Sequence, residues 1–231
     1  METWDVATRL GDTTARIMSA CEAAGRDPSA VRLMLATKTQ SADTLRSTYA
    51  LGPTLFGENR VQEFVRKHEE LADLSIEWHF IGHLQTNKVR DVLGRVQCIQ
   101  SVDRPSLVDT LSKEAEQRDL NVDIMIEVNV SSEKSKHGVY PEDLVNLLNH
   151  VRQQPRLRVT GFMTIGANVE DHDVVRSGFR LLRELRDDAL QRGLVTEAAT
   201  ELSMGMSGDL ELAIAEGSTI VRVGTAIFGE R

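Results

Sequence analysis

Eight short apolar runs, each bounded by turn residues, constrain this chain more than any other feature of its sequence. They are VRLMLAT (Val31 to Thr37), TLFGEN (Thr54 to Asn59), EWHFIG (Glu77 to Gly82), VQCIQSV (Val96 to Val102), VDIMIEVNV (Val122 to Val130), RVTGFMTIG (Arg158 to Gly166), ATELSMG (Ala199 to Gly205) and TIVRVGT (Thr219 to Thr225). A run of this length suits a strand buried on both faces. Each except the last precedes an amphipathic stretch. Leu107, Leu111 and Ala115 share a helical face behind Pro105, with Asp103 read as the N-cap. Leu144, Leu148 and Val151 follow Pro141 in the same way, and Val175, Phe179, Leu182, Leu185 and Ala189 line one side of a later helix. Further helices are expected up to Leu71, near Asn87 to Leu93, and from about Gly208 to Ala215. A leading helix ends near Ala24, with Val6, Leu10, Ile17 and Cys21 on one face and Gly25 as its stop.

Strand-helix alternation means parallel pairing with right-handed crossovers, and eight such units predict a closed (β/α)8 barrel with an extra N-terminal helix. The alternative is an open doubly wound sheet, but the first strand is not followed by a GxGxxG turn. The 231 residues suit one barrel, and 41% hydrophobic with 27% charged residues is an ordinary globular balance. No linker-like tract interrupts the units, so residues 1–231 are expected to form a single domain with no second domain after the eighth strand.

A net charge of -8 disfavours nucleic acid and anionic membranes as partners, yet a local group of backbone N–H donors can still hold one small phosphate. With no apolar leader and no long apolar span, a cytoplasmic protein is expected, as a monomer or weak dimer. Cys21 and Cys98 lack the spacing of a redox or zinc motif and read as buried free thiols.

In such a barrel the active face lies at the carboxyl ends of the strands. The residues there are Lys38, Glu58, Asn59, His83, Asn129, Met163, Thr164, Ser203, Met204, Arg222, Gly224 and Thr225. A lysine ending a buried strand is expected to be desolvated, which favours the neutral amine that attacks carbonyls; it could equally extend along the rim to water. SMGMSGD (Ser203 to Asp209) and Gly224-Thr225 have the small residues of phosphate loops, which recur after strands seven and eight, though ordinary turn chemistry also explains either loop alone. Arg222 interrupts an apolar strand and needs an acceptor there, either a structural carboxylate or a ligand at the barrel mouth. His79 and His83 have no HExxH context and no evident carboxylate partner, so hydrogen-bonded structural roles and no metal are expected.

Seven blocks, in order, carry a resemblance over nearly the whole chain: LMLATKTQ around Lys38, FGENRVQE (Phe56 to Glu63), WHFIGHLQTNK (Trp78 to Lys88), VNVSSEKSKHG (Val128 to Gly138), GFMTIG (Gly161 to Gly166), ELSMGMSGDLELAIAEGST (Glu201 to Thr219) and the terminal VRVGTAIFGER. With these the chain resembles the pyridoxal phosphate homeostasis proteins, the YggS-like group. The resemblance implies the barrel of the alanine racemase N-terminal domain, with pyridoxal 5'-phosphate (PLP) as a Schiff base on Lys38. It also implies Arg222 at the pyridine nitrogen, Ser203, Gly224 and Thr225 at the phosphate, and Asn59, Met204 and Ser207 lining the same pocket. Two departures stand out: His83 replaces a proline of many relatives, and His137 occupies a position where a small residue is frequent.

Three readings follow. The first is a non-enzymatic carrier that holds PLP and releases it to PLP-dependent apoenzymes. The second is a PLP-dependent racemase or lyase, which needs an acid/base on each face of the substrate carbon; related racemases draw the second, a tyrosine, from another domain, and neither Tyr49 nor Tyr140 is evidently placed for it. The third is a Schiff-base aldolase without PLP. Lys136, in the loop after the fifth strand, is either an accessory lysine for cofactor exchange or a solvated loop residue.

Overall fold

The protein is described here by a computed structural model covering residues 3–131, 133, 136–167 and 169–229. All eight apolar runs become strands: β1 (Arg32–Ala36), β2 (Leu55–Glu58), β3 (Glu77–Phe80), β4 (Cys98–Val102), β5 (Val122–Glu127), β6 (Leu157–Met163), β7 (Glu201–Ser203) and β8 (Ile220–Val223). They pair in sequence order, all parallel, and β8 returns to β1 with Met34 opposite Arg222, closing a (β/α)8 barrel. Closure leaves no strand edge exposed to water or to another chain.

Successive strand residues point to opposite faces of the sheet, and this alternation sorts the two cores. Met34, Leu55, Cys98, Met125, Met163 and Ile220 pack inside the barrel. Their neighbours, among them Leu35, Phe56, Trp78, Ile99, Ile124, Phe162 and Leu202, pack outward against the helices. The helices are α1 (Thr3–Ala23), α2 (Ala42–Tyr49), α3 (Val61–Glu70), α4 (Val89–Val92), α5 (Pro105–Gln117), α6 (Leu144–Val151), α7 (His172–Gln191), α8 (Leu210–Ala215) and α9 (Thr225–Phe228). The leading helix α1 buries Val6, Ile17 and Cys21 and ends before Gly25, whose φ of 63° continues no helix. Both cysteines are buried free thiols.

Two details differ from the sequence reading. A short α9 follows β8, where no helix was expected. The N-cap of α5 is Arg104, with extended φ and ψ, not Asp103. Asp103 is drawn away because its Oδ1 accepts from Arg104 Nη1 at 2.6 Å, a bond in which donor and acceptor are both charged. No described helix is long and apolar enough to cross a membrane.

Candidate functional site

The strand β1 ends at Ala36, and the chain turns outward through Thr37, Lys38 and Thr39. Thr39 has φ of 67°, a left-handed conformation that a β-branched residue adopts only under constraint, at a cost of about 1–3 kcal/mol. Helix α3 supplies the constraint. Glu63 Oε2 accepts from Thr39 N at 3.0 Å, and Lys67 Nζ donates to Thr37 O at 2.8 Å and to Glu58 Oε1 at 2.5 Å. Glu58 and Lys67 are both fully buried, so each depends on the other, and burial still pushes the Glu58 carboxyl up.

Lys38 itself is exposed. The desolvation expected of a strand-end lysine is therefore absent, because the turn lifts the side chain out of the strand ladder. Among the described residues its amine has no hydrogen-bond or ion-pair partner, which leaves it accessible to a ligand.

Arg222 points inward from β8 and is 5% exposed. Its partners are Ser203 Oγ at 2.8 Å and Thr164 O at 2.7 Å, not a carboxylate. Desolvation pushes even this guanidinium down, to about 10. Ser203 Oγ accepts from Arg222, so its own proton goes to Gln100 Oε1 at 2.7 Å. Gln100 Nε2 then faces His79 Nδ1 at 2.7 Å, and His79 Nε2 reaches Glu77 Oε1 at 3.1 Å. Arg32 closes the row on Glu77 Oε2 at 2.5 Å. A line of hydrogen bonds thus runs down the barrel from the carboxyl-end mouth to its opposite end, each link fixing the orientation of the next. Glu77, bonded to His79 and Arg32, is held down to about 2. His79 therefore has the carboxylate partner that its sequence context did not reveal.

The loops after β7 and β8 meet beside this line. Thr225 Oγ1 and Ser207 Oγ lie 3.1 Å apart, and Ala226 N donates to Ser207 Oγ at 3.3 Å. A Cβ added to Gly224 would stand 3.0 Å from Ala36 O, so glycine is what lets the end of β8 approach the end of β1 this closely. Hydroxyls, backbone N–H groups and a guanidinium with no carboxylate bound to it are an anion's surroundings.

Residues 14–231 match the family described as alanine racemase, N-terminal domain. A pyridoxal phosphate homeostasis protein of Aquifex aeolicus is 49% identical over 223 residues, covering 96% of this chain and 97% of that one. Its counterpart in Pseudomonas aeruginosa is 44% identical over 226 residues, covering 98% and 96%. The chain belongs to the pyridoxal phosphate homeostasis protein family. Among solved structures of similar fold is PipY of Synechococcus elongatus with PLP bound, 33% identical with a TM-score of 0.85, covering 97% of this chain and all of that one.

Within this family barrel the sequence-derived residues divide unevenly. Ser207, Gly224 and Thr225 come together, and Ser203 joins Arg222. The hydroxyl of Ser203 is committed to Arg222 and Gln100 and does not stand with the Ser207–Thr225 pair, because the last residue of β7 points down the barrel axis. Met204, one residue on, packs into the outer core between strands and helices, so its side chain does not line the mouth. Asn59 keeps a buried Oδ1 with no partner, an acceptor waiting for a donor. Lys136 is not a solvated loop residue: its Nζ donates to Gly166 O at 2.8 Å and to Glu133 Oε1 at 2.6 Å.

Sequence reasoning missed Glu127, the last residue of β5. It is 2% exposed, and its carboxyl is raised to about 7, first by desolvation and then by Asp103, against the lowering influence of Arg222 and Arg104. The signal was present: Glu127 shares parity with inward-facing Met125 in an otherwise apolar run. His83, in the loop after β3, also has a carboxylate neighbour, with Nδ1 3.9 Å from Asp103 Oδ2.

Proposed function

We propose that this chain binds PLP at the carboxyl-end mouth of the barrel, holds it as a Schiff base on Lys38, and releases it to PLP-dependent apoenzymes without turning over a substrate of its own. The observation that carries this reading is the pairing, on the β7–β8–β1 side of the mouth, of an accessible, unpartnered amine with a buried guanidinium and a hydroxyl pair.

The residues present fit the group. Ser207 and Thr225, with the backbone at Gly224, would hold the phosphate. Arg222 has donors and no acceptor, so it would bond a pyridine nitrogen only in its unprotonated form, and an unprotonated ring is a weaker electron sink. Asn59 and Ser203 complete the set, with Ser203 acting through Arg222, whereas the backbone N–H of Met204 is taken by Ile220 O and its carbonyl by Ser218 Oγ. The Lys38 amine would add to the aldehyde carbon with loss of water, so either water or a second amine can reverse the linkage. Such reversibility serves storage and handover.

Visible spectra of the wild type and Lys38→Ala, each mixed with PLP, test the site. The wild type is expected to develop the band of a protonated Schiff base, and Lys38→Ala to lack it; the same band in both would overturn the assignment of Lys38. Transfer to a PLP-dependent apoenzyme then tests the purpose, alongside loss of chirality in alanine and serine. Turnover of either amino acid at enzyme-like rates would replace the carrier reading with a racemase.

A further inference from the structure

Across the mouth from Lys38 and the phosphate-type loops, the loops after β3, β4 and β5 bring His83, Asp103 and His137 together. One ligand atom from each lies within 4.8 Å of the other two. The two imidazoles stack, with centroids 4.1 Å apart and planes 20° from parallel. We propose that these three side chains bind a first-row divalent metal ion of the zinc or cobalt type, held by two imidazole nitrogens and one carboxylate oxygen with its remaining positions open to the barrel mouth.

The surroundings hold each of the three in place. Arg104 Nη1 bonds Asp103 Oδ1 at 2.6 Å, while its Nη2 donates to Leu84 O, next to His83, at 2.7 Å. One guanidinium therefore ties the carboxylate to the loop bearing the first imidazole and leaves Oδ2 facing His83. Carboxylates and histidines that ligate metals are commonly oriented by such outer contacts. His137 is fixed on both sides. Lys136 is anchored to Gly166 O, and Asn129 Nδ2 donates to the carbonyls of Glu133 and Lys136 at 2.9 and 3.3 Å. On the other side Gly138 has φ of 113°, and a Cβ there would meet Asn129 N at 2.6 Å, so only glycine lets this loop lie against the chain leaving β5.

The donor set decides the class of ion. Two imidazoles and one carboxylate suit zinc, cobalt or nickel better than magnesium or calcium, which favour oxygen alone. Tetrahedral zinc with ligands at about 2.0–2.1 Å needs donor atoms roughly 3.4 Å apart. No pair of donor atoms needs to close by more than about 1.4 Å, which rotation of the exposed His83 and His137 side chains allows.

Cobalt(II) is the probe, added to tag-free protein without PLP and read by its d–d absorption between roughly 500 and 650 nm, with zinc competition by calorimetry. One ion per chain is expected, displaced by zinc. Affinity should fall at least about tenfold in His83→Ala, in His137→Ala and in Asp103→Asn, and the band should vanish in His83→Ala/His137→Ala. Lys38→Ala should bind cobalt as the wild type does, which separates this site from the PLP site. No band at a stoichiometric cobalt ratio, or an equal band in the double variant, would overturn the proposal and leave a pair of stacked imidazole rings. Circular dichroism of the variants establishes that they are folded, since both histidines are exposed.

Discussion

The two sides of the barrel mouth are built from opposite materials. On the β7–β8–β1 side, hydroxyls, backbone N–H groups, Lys38 and the buried Arg222 all offer protons. On the β3–β5 side, His83, Asp103, His137 and Glu127 all offer lone pairs. The first side suits an anion and the second a cation. The sides also differ in support. The donor side rests on buried groups, the Glu58–Lys67 pair and the hydrogen-bond line through Gln100, whereas the acceptor side rests on loops tied by Arg104 and Lys136.

Lys67→Met offers the largest break in this contrast. It leaves Glu58 buried without its cation and frees Thr37 O beneath Lys38, at a cost of about 3–5 kcal/mol. Urea denaturation should show that loss, and Glu58→Gln/Lys67→Met should recover most of it. If the single variant is as stable as the wild type, the donor side does not depend on this pair.

Glu127 sharpens the contrast through pH. Its carboxyl is raised in the folded protein to about 7 from an ordinary value near 4.5, so the native state binds the extra proton between these values. Stability from this group is complete below about 4.5, falls as pH rises through 7, and is lost above; the span is about 3 kcal/mol at most. Unfolding free energies measured from pH 5 to pH 8 should decline more for the wild type than for Glu127→Gln. Equal slopes would remove Glu127 as the titrating group of the acceptor side.

Gln100→Leu has the smallest expected effect and tests reach. It strands the Ser203 hydroxyl and His79 Nδ1, at about 1–3 kcal/mol. Because Ser203 then loses its fixed orientation beside Arg222, PLP affinity should weaken several-fold, while cobalt binding on the far side should not change. Weakening of both together would mean that the two sides are not independent.

Most of the fold could be read along the chain, since each strand is a local apolar run and each helix a local 3.6-residue pattern. Seven of the eight strands fall inside the apolar runs and β6 begins one residue before its run, at Leu157, while Lys38 and Arg222 stand out as charges at the ends of, or within, apolar runs. Errors arose where two local signals competed or where direction mattered. Asp103 is a good N-cap by type but is taken by Arg104. Lys38 follows a buried strand but turns into water at Thr39. Ser203 and Met204 are adjacent in sequence and face opposite sides of the sheet, so only one of them can share a surface with Arg222.

The closed barrel, the mouth where polar residues gather, and the lysine and arginine there all follow from the order of residues, because periodicity and charge in an apolar setting are properties of neighbouring residues. What meets across the barrel depends instead on the folded chain. His83 and His137 are separated by more than fifty residues of chain, as Ser203 and Gln100 are by 103, yet they touch, because closing the sheet brings the ends of distant strands within hydrogen-bond reach. Spacing along a chain carries no record of such contacts, so the line beneath Arg222 and the cluster of His83, Asp103 and His137 exist only once the barrel has closed.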